Sequence, residues 1–333
     1  MRAVELGYEI LEITEVWHFP NSTKYCPETG EKGIFSEYID AFLKIKQECS
    51  DWPKHVTTDE DKAKYVQDYF EVEGIQLDPA KIGYNPGLRA VAKNCLNNLW
   101  GRFGMRDNLP KTEFIKSPAR LFEVLGSDEI ELSDLNIYND MFAEITYTLG
   151  DNFVKPNMTT NSILASFVTS HARIHLYSIL EKLGDRVLYF DTDSCVYVER
   201  EGEWSPPLGS YLGDLTNEIS PKDGNYIETF VGAGPKKYAY QLDTGKTVVK
   251  VRGITLNSSA IKVVNFNTVA NMVKGIGPDV VTVHNPHKIV RDYKNKEIIT
   301  KTQNKDYRVV YNKRMIVDDY KTVPYGYRPA QSL

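Results

Sequence analysis

Apolar residues recur along this chain with two periods, and the switches between them mark its elements. From Tyr8 to Phe19, β-branched and aromatic residues in partial alternation predict a strand. The stretch NSTKYCPETGEKG that follows is a turn-rich loop. Between Phe35 and Cys49, Tyr38, Ile39, Phe42 and Ile45 make an apolar helical stripe. A second helix opens on a capping box, Thr57 to Glu60, and closes on Gly74. A third begins with Asn85 and Pro86, a good cap and first-turn pair. Residues 107–156 carry short mixed segments with no dominant period. The clearest helical pattern runs from Asn157 to Gly184, and RVLYF-DTDS-CVYV then reads as strand, tight turn, strand. Residues 225–253 read as more sheet, with a turn at Asp243 to Lys246. A last helix capped by Ser258 or Ser259 leads into a Lys-rich, β-containing tail.

Composition narrows the class. With 333 residues and 41% hydrophobic content, the chain suits two or three domain-sized units, each able to bury a core. It has no apolar run of about eighteen residues, so no membrane-spanning helix is expected. The N-terminus lacks the apolar centre of a signal peptide. Four scattered cysteines without CxxC spacing point to a reduced, intracellular, soluble protein with no structural zinc. The net charge of −5 hides an asymmetry. From Gly234 onward there are eighteen Lys or Arg against seven Asp or Glu, +11, which leaves −16 on the remainder. A basic third attached to an acidic body suits a polyanion clamp beside a metal-binding centre, although an uneven, inert surface has the same composition.

Two stretches carry candidate chemistry. In YFDTDSCVYV, Asp191 and Asp193 lie two residues apart, so an extended course aims both carboxylates the same way. Two close carboxylates resist joint ionisation unless a cation sits between them. Hard oxygen donors with no His or Cys nearby favour magnesium or manganese over zinc. A solvated hairpin turn also uses Asp, Thr and Ser, but the apolar strands on either side point to a buried hairpin. In the third helix, Arg89, Lys93 and Asn97 follow at i, i+4 spacing with Gly101 a turn further on. Two cations and an amide in a row suit a triphosphate, Lys as a point charge and Arg as a fork. Leu88, Val91, Ala92, Cys95, Leu96 and Leu99 form the opposite face and are expected in the core. The bland alternative is an amphipathic helix with its charges in water.

These residues also carry a family resemblance. Lys93-Asn-Cys-Leu-Asn97-Asn98-Leu-Trp100-Gly101 resembles the KxxxNSxYG motif of family-B DNA polymerases. Tyr189-Phe-Asp191-Thr192-Asp193-Ser194 resembles their YxDTDS motif, and Lys236-Lys237-Tyr238 is similar to their KKxY motif, in the right order. ASFVTSHARIHLY, ahead of the aspartate turn, resembles the family helix at that place. The chain most resembles the protein-primed branch, as in Maverick/Polinton transposons and viral and organellar relatives. Its tail YRVVYNKRMIVDDYKTVPYGYRP is similar to the C-terminus of that transposon group.

The resemblance covers nearly the whole chain, as the C-terminal portion of a longer enzyme. It implies an α+β, right-hand architecture with partial palm, fingers and thumb and no exonuclease domain. Residues 1–34 would be the first palm strand and loop, 35–106 the fingers and 107–156 an insertion where this branch carries a strand-displacement element. Residues 157–255 would be the palm with the aspartate hairpin, and 256–333 the thumb. Asp193 would be the main ligand and Asp191 the lesser ligand for two magnesium (or manganese) ions that activate a primer hydroxyl and stabilise the leaving pyrophosphate. Lys93, Arg89 and Lys44 or Lys46 would meet the triphosphate, with Asn97 and Trp100 shaping the nucleotide pocket. Lys236, Lys237, Tyr238 and Thr192 would hold the primer–template backbone. The partners implied are a DNA primer–template, deoxynucleoside triphosphates and a protein primer, with no membrane and, for a eukaryotic transposon, a nuclear location.

Departures from the pattern matter too. Asn98 and Trp100 replace Ser and Tyr, and Phe190 stands where the family has a small or polar residue. The upstream DxxSLYP motif, with its palm carboxylate and steric-gate tyrosine, does not occur in this chain. The expectation is a DNA-directed DNA polymerase with an incomplete metal cage. A catalytically inactive, DNA-binding remnant is the alternative, and an unrelated magnesium phosphotransferase is a distant third. The strand at residues 8–19 would lack a neighbour and leave an apolar patch at an open sheet edge.

Overall fold

Helix-forming and strand-forming stretches alternate irregularly here, and the resulting architecture is a mixed α and β one. The computed structural model describes residues 2–5, 7–26, 29–318 and 321–324. Of the tail stretch 307–329, residues 319, 320 and 325–329 lie outside the described residues, as do Pro27 and Glu28 of the first loop. The chain divides into two compact units, Met1–Thr169 and Ser170–Leu333, a boundary that falls inside a long helix and within the segment 157–255. Among the described residues no helix is long and apolar enough to cross a membrane.

The first unit opens with α1 (Arg2–Glu5), followed by α2 (Ser36–Glu48), α3 (Asp59–Glu73) and α4 (Pro86–Phe103). Residues 8–19 form no strand. They are open to solvent, with Leu11 91% and Trp17 60% exposed. Their composition is that of a strand, but a strand needs a neighbour for its N–H and C=O groups, and no described residue pairs with them. The capping box of α3 sits one residue further on than the spacing suggests. Thr58 accepts from the Asp61 amide at 3.1 Å, and Asp61 takes the Thr58 amide at 3.0 Å. Gly74 closes the helix at φ +69°. Asn85 caps α4 by accepting from the Leu88 amide at 3.1 Å.

Helices α2 and α4 pack together. The Tyr38 hydroxyl donates to the Cys95 carbonyl, and the Gly83 and Asn85 amides close onto the carbonyls of Glu48 and Cys49. Only a narrow stripe of α4 is thereby covered. Ala92 is buried and Cys95, Leu96 and Leu99 are half-buried, whereas Leu88 and Val91, expected in the core, are exposed. One helical partner shields one stripe, and the predicted apolar face of α4 is wider than that.

Residues 107–156 form a small layered body. Strands β1 (Lys111–Ile115), β2 (Ile130–Asn139) and β3 (Phe142–Leu149) make an antiparallel sheet in the order β1-β3-β2, with α5 (Pro118–Leu125) packed on one face. Ile115, Val124 and Ile145 are its buried centre. No period shows in the sequence because bulges at Leu132/Asp134 and Ile137/Asn139 break the alternation of β2.

Helix α6 (Ser162–Leu183) runs across the unit boundary. It begins later than Asn157 because Asn157 folds into a turn with Thr159 and Thr160, and Asn161 accepts from the Leu164 amide at 3.0 Å. The second unit continues with the hairpin β4 (Val187–Asp191) and β5 (Ser194–Tyr197). Next comes an antiparallel sheet of β6 (Ile227–Gly232), β7 (Lys237–Leu242) and β8 (Thr247–Val251). The helix expected over 258–275 is broken into α7 (Ala260–Val263) and α8 (Phe266–Val273). Neither Ser258 nor Ser259 supplies the cap. The Asn257 side chain accepts from the Ala260 amide, and Asn265 accepts from the Thr268 amide and restarts the chain as α8. The tail holds two hairpins, β9 (Val281–Asp292) with β10 (Glu297–Tyr307), and β11 (Arg314–Asp318) with β12 (Lys321–Pro324). Ala233, Ala239, Val264, Val269, Val283 and Tyr307 close the core of this unit.

Thr58→Ala is expected to lower stability by about 1 kcal/mol, and Thr57→Ala by clearly less. Urea unfolding midpoints of the two variants measure this, and the reverse order would return the cap to Thr57.

Candidate functional site

The aspartate turn is built by register. Asp191 pairs with Ser194 and Phe190 with Cys195, so Thr192 and Asp193 alone make the bend. The Asp193 amide donates to the Asp191 carbonyl at 2.6 Å, and the Ser194 hydroxyl donates to the same oxygen at 3.1 Å. Thr192 is held at φ +53°, a left-handed conformation that β-branched residues rarely adopt, and it donates to Asp191 Oδ1 at 3.2 Å. Such strain persists only where the surroundings enforce it, and it concentrates at functional sites. The hairpin is not buried as its apolar strands predicted: Leu188 and Phe190 are each 49% exposed. The sheet here has two strands, so nothing within it covers both faces.

Lys236 ties this turn to the next sheet. It occupies the bend before β7 at φ +57°, its amide donating to the Tyr189 hydroxyl at 3.0 Å while its ammonium sits on Asp191 Oδ2. Backbone and side chain of one residue therefore grip both ends of the Tyr189–Asp191 segment. The hydrogen bond to Asp191 and the attraction of that carboxylate raise the Lys236 pKa. Tyr189 lies 4.9 Å from Tyr238 and 6.1 Å from Phe230, ring centre to ring centre, an aromatic cluster that packs β4 against β6 and β7. Burial raises the Tyr238 pKa. Lys237 behaves differently: its ammonium donates to the Arg308 carbonyl at 3.0 Å and lies over the Tyr307 ring. Burial, reinforced by repulsion from Arg252, lowers its pKa.

The donor set at the turn does not by itself fit a two-metal centre. Asp191 already carries Lys236 and Thr192, while the Asp193 carboxylate has no partner among the described residues. No group of three or more His, Cys, Asp or Glu suited to a metal gathers anywhere among the described residues. Two carboxylates, one of them neutralised, fall short of the oxygen ligands that a pair of divalent ions demands.

The first unit holds a second candidate. Lys46 on α2 lies close enough to Arg89 and Lys93 on α4 for both to repel it. Burial first, and then that repulsion, lower the Lys46 pKa from its ordinary 10.5, with Glu73 opposing. Arg89 Nε donates to the Ser50 hydroxyl at 2.9 Å, which itself donates to the Lys46 carbonyl at 2.6 Å, so a neutral group holds the Arg89 guanidinium in place. Of the two lysines weighed on α2, Lys44 pairs with Glu48 at 3.9 Å and Lys46 joins the cluster. Asn97 and Trp100 are exposed further along α4. Three converging cations suit a polyanion such as a triphosphate. Tyr189 and Ser50 do positioning work that the sequence does not reveal. Tyr189 was visible only as a motif position, and Ser50 carries no local signal.

Over 184 residues the chain is 26% identical to a probable DNA polymerase of Ascobolus immersus. The relationship is to a DNA polymerase. The aligned part is 54% of this chain but 14% of that protein, so the chain spans a small fraction of its relative's length. No family model and no solved structure matches the chain.

Lys46 generates a prediction with a definite sign. A lysine whose pKa is lowered by folding penalises the folded state while it is charged, and the penalty fades as pH rises from the lowered value towards 10.5. At low salt and pH 7, Lys46→Met should therefore raise the thermal midpoint, by an increment that shrinks towards pH 10. Inorganic triphosphate should stabilise the native chain more than the variant. A midpoint lowered by Lys46→Met at pH 7 would contradict the repulsive cluster.

Proposed function

We propose that this chain is part of a DNA-directed DNA polymerase of the family-B, protein-primed kind. The observation that carries the reading is the meeting of Lys236 with Asp191. It joins two motif-like stretches, YFDTDS and KKY, that lie far apart in the sequence, in a chain with a polymerase relative. In this reading α2 and α4 receive the incoming nucleotide, with Lys46, Arg89 and Lys93 on its phosphates and Asn97 and Trp100 beside its sugar and base. Lys236, Lys237, Tyr238 and Thr192 lie along the primer–template backbone. The long β9–β10 hairpin adds Lys288, Arg291, Lys294, Lys301 and Lys305, an array suited to phosphates.

Magnesium or manganese is the cation we assign to Asp193 and Asp191, as members of a ligand set that needs at least one more carboxylate. When bound, such an ion would polarise the reacting phosphate. What the chain's own residues do is narrower: they hold the triphosphate, hold the backbone of the primer–template, and keep the Asp191–Asp193 turn in one conformation. A protein primer, and a nuclear location if the source is a eukaryotic transposon, belong to the same reading. A second reading, a DNA-binding remnant without catalysis, is favoured by one observation, the neutralisation of Asp191 by Lys236 with no third acid beside it.

The two readings share one expectation and part on another. The purified chain should bind a labelled primer–template in fluorescence anisotropy, with an affinity that falls steeply as salt rises. Lys236→Ala should reduce the slope of log affinity against log salt by about 0.9, one phosphate contact. Absence of binding at low salt would overturn both readings. With magnesium and deoxynucleotides the chain alone should not extend the primer, and extension lost in Asp193→Ala would show the centre to be complete without a further carboxylate.

A further inference from the structure

The hairpin β9–β10 changes character along its length. At its base, Val281, Val283 and Tyr307 are buried in the core of the second unit. Residues two apart on a strand share a face, and so do residues paired across an antiparallel ladder. The opposite face of the base carries Thr282 paired with Asp306 and His284 with Asn304, the polar set that a solvent face is expected to show. A bulge opposite Lys301/Gln303 then puts one extra residue into β9. Counted along β10, the face of Asp306 and Asn304 continues to Thr300 and Ile298, whose partners are Ile289 and Arg291. There the polar pattern stops: Ile289 is 73% and Ile298 76% exposed. The other face of this distal stretch carries half-buried Val290 and Ile299, then Lys288 opposite Lys301.

Two isoleucines placed diagonally on a solvent face break the alternation that the base of the hairpin keeps. The charge around them indicates what they meet. Residues 287–302 hold five Lys or Arg and two Asp or Glu, a net +3. One of the two acids, Asp292, is engaged by the turn: it accepts from the Lys294 and Asn295 amides at 3.0 and 3.2 Å and from the Asn295 side chain at 2.9 Å, and it attracts Lys301. Lys288 stands directly opposite Lys301, a pairing of like charges that destabilises a ladder and that an anion relieves. Tyr293, 74% exposed, sits at the tip beside Lys294. A polyanion with an apolar floor between its charges meets all of these features. The minor groove of duplex DNA is such a surface: phosphates line it, and it takes isoleucine-type wedges accompanied by arginine. A single strand instead stacks its bases on aromatic rings, and this face offers aliphatic side chains. The function proposed above favours DNA over another polyanion such as a lipid surface.

We propose that the distal half of β9–β10 enters the minor groove of duplex DNA, with Ile289 and Ile298 wedged against the base-pair edges, Arg291 beside them, and Lys288, Lys294 and Lys301 on the flanking phosphates. The proposal rests on the DNA-binding part of the polymerase reading. It adds to that reading a mode of contact, apolar insertion, which bends the duplex instead of only neutralising it.

A fluorescein-labelled A·T-rich duplex and one of its strands alone test this by anisotropy on the full chain. Ile289→Thr combined with Ile298→Thr keeps every charge and the β-branched shape. The double variant should weaken duplex binding by about five- to thirty-fold. It should leave the slope of log affinity against log salt unchanged, since no phosphate contact is lost, and leave the thermal midpoint nearly unchanged. Valine at both positions should restore most of the affinity. Netropsin, which fills the minor groove, should compete with the native chain more strongly than with the double variant. A duplex labelled at both ends should shorten on binding the native chain, read by energy transfer, and not on binding the variant. Duplex binding that is indifferent to the double variant would overturn the insertion and leave the polymerase reading standing, whereas absence of duplex binding would overturn both. Single-strand binding that depends on the two isoleucines more than duplex binding does would replace the groove contact with a single-strand one.

Discussion

The contact between Lys236 and Asp191 organises the second unit. Two carboxylates two residues apart on a tight turn repel each other, and Thr192 between them is held in a left-handed conformation that it does not favour. An ammonium from the bend before β7 offsets half of that charge, and the amide of the same residue fixes Tyr189 at the other end of the segment. The Tyr189–Phe230–Tyr238 cluster then supplies the apolar packing that a two-stranded hairpin lacks. The turn is thus positioned from outside its own sheet.

Charge is distributed with the same logic at larger scale. Lys46, Arg89 and Lys93 gather in the first unit against their mutual repulsion, brought together by the packing of α2 on α4, with Ser50 holding Arg89. The small body of residues 107–156 carries the opposite sign, so charge is segregated within one unit as well as along the chain.

Much of the fold was legible locally. The helices α2, α3, α4 and α6 follow from apolar spacing and cap residues, and the hairpins from strand, turn and strand patterns. The failures have physical causes. Residues 8–19 have strand composition but no strand partner among the described residues, and propensity cannot supply one. The expected helix over 258–275 breaks because Asn265 makes a better start for α8 than an interior position for a longer helix. The sheet of residues 107–156 was hidden by bulges that shift its alternation. At the candidate site, Asp191, Lys236, Arg89 and Lys93 were legible as residue types in motif-like order. The hydroxyls of Tyr189 and Ser50 were not, since a neutral positioning group has no sequence signature of its own.

By itself, then, the sequence determined which residues carry charge, which turns are tight, where most helices begin, and that the chain resembles a polymerase. These are local properties, written in spacing and residue type. Tertiary structure alone decided that Lys236, not Lys237, meets Asp191. It also decided that Lys46, not Lys44, joins Arg89 and Lys93, and that Phe114, Phe142 and Tyr138 come together in one aromatic run. Each of those outcomes depends on which of two adjacent or neighbouring side chains faces a partner distant in the chain. Register and packing settle that direction, and no local pattern encodes it.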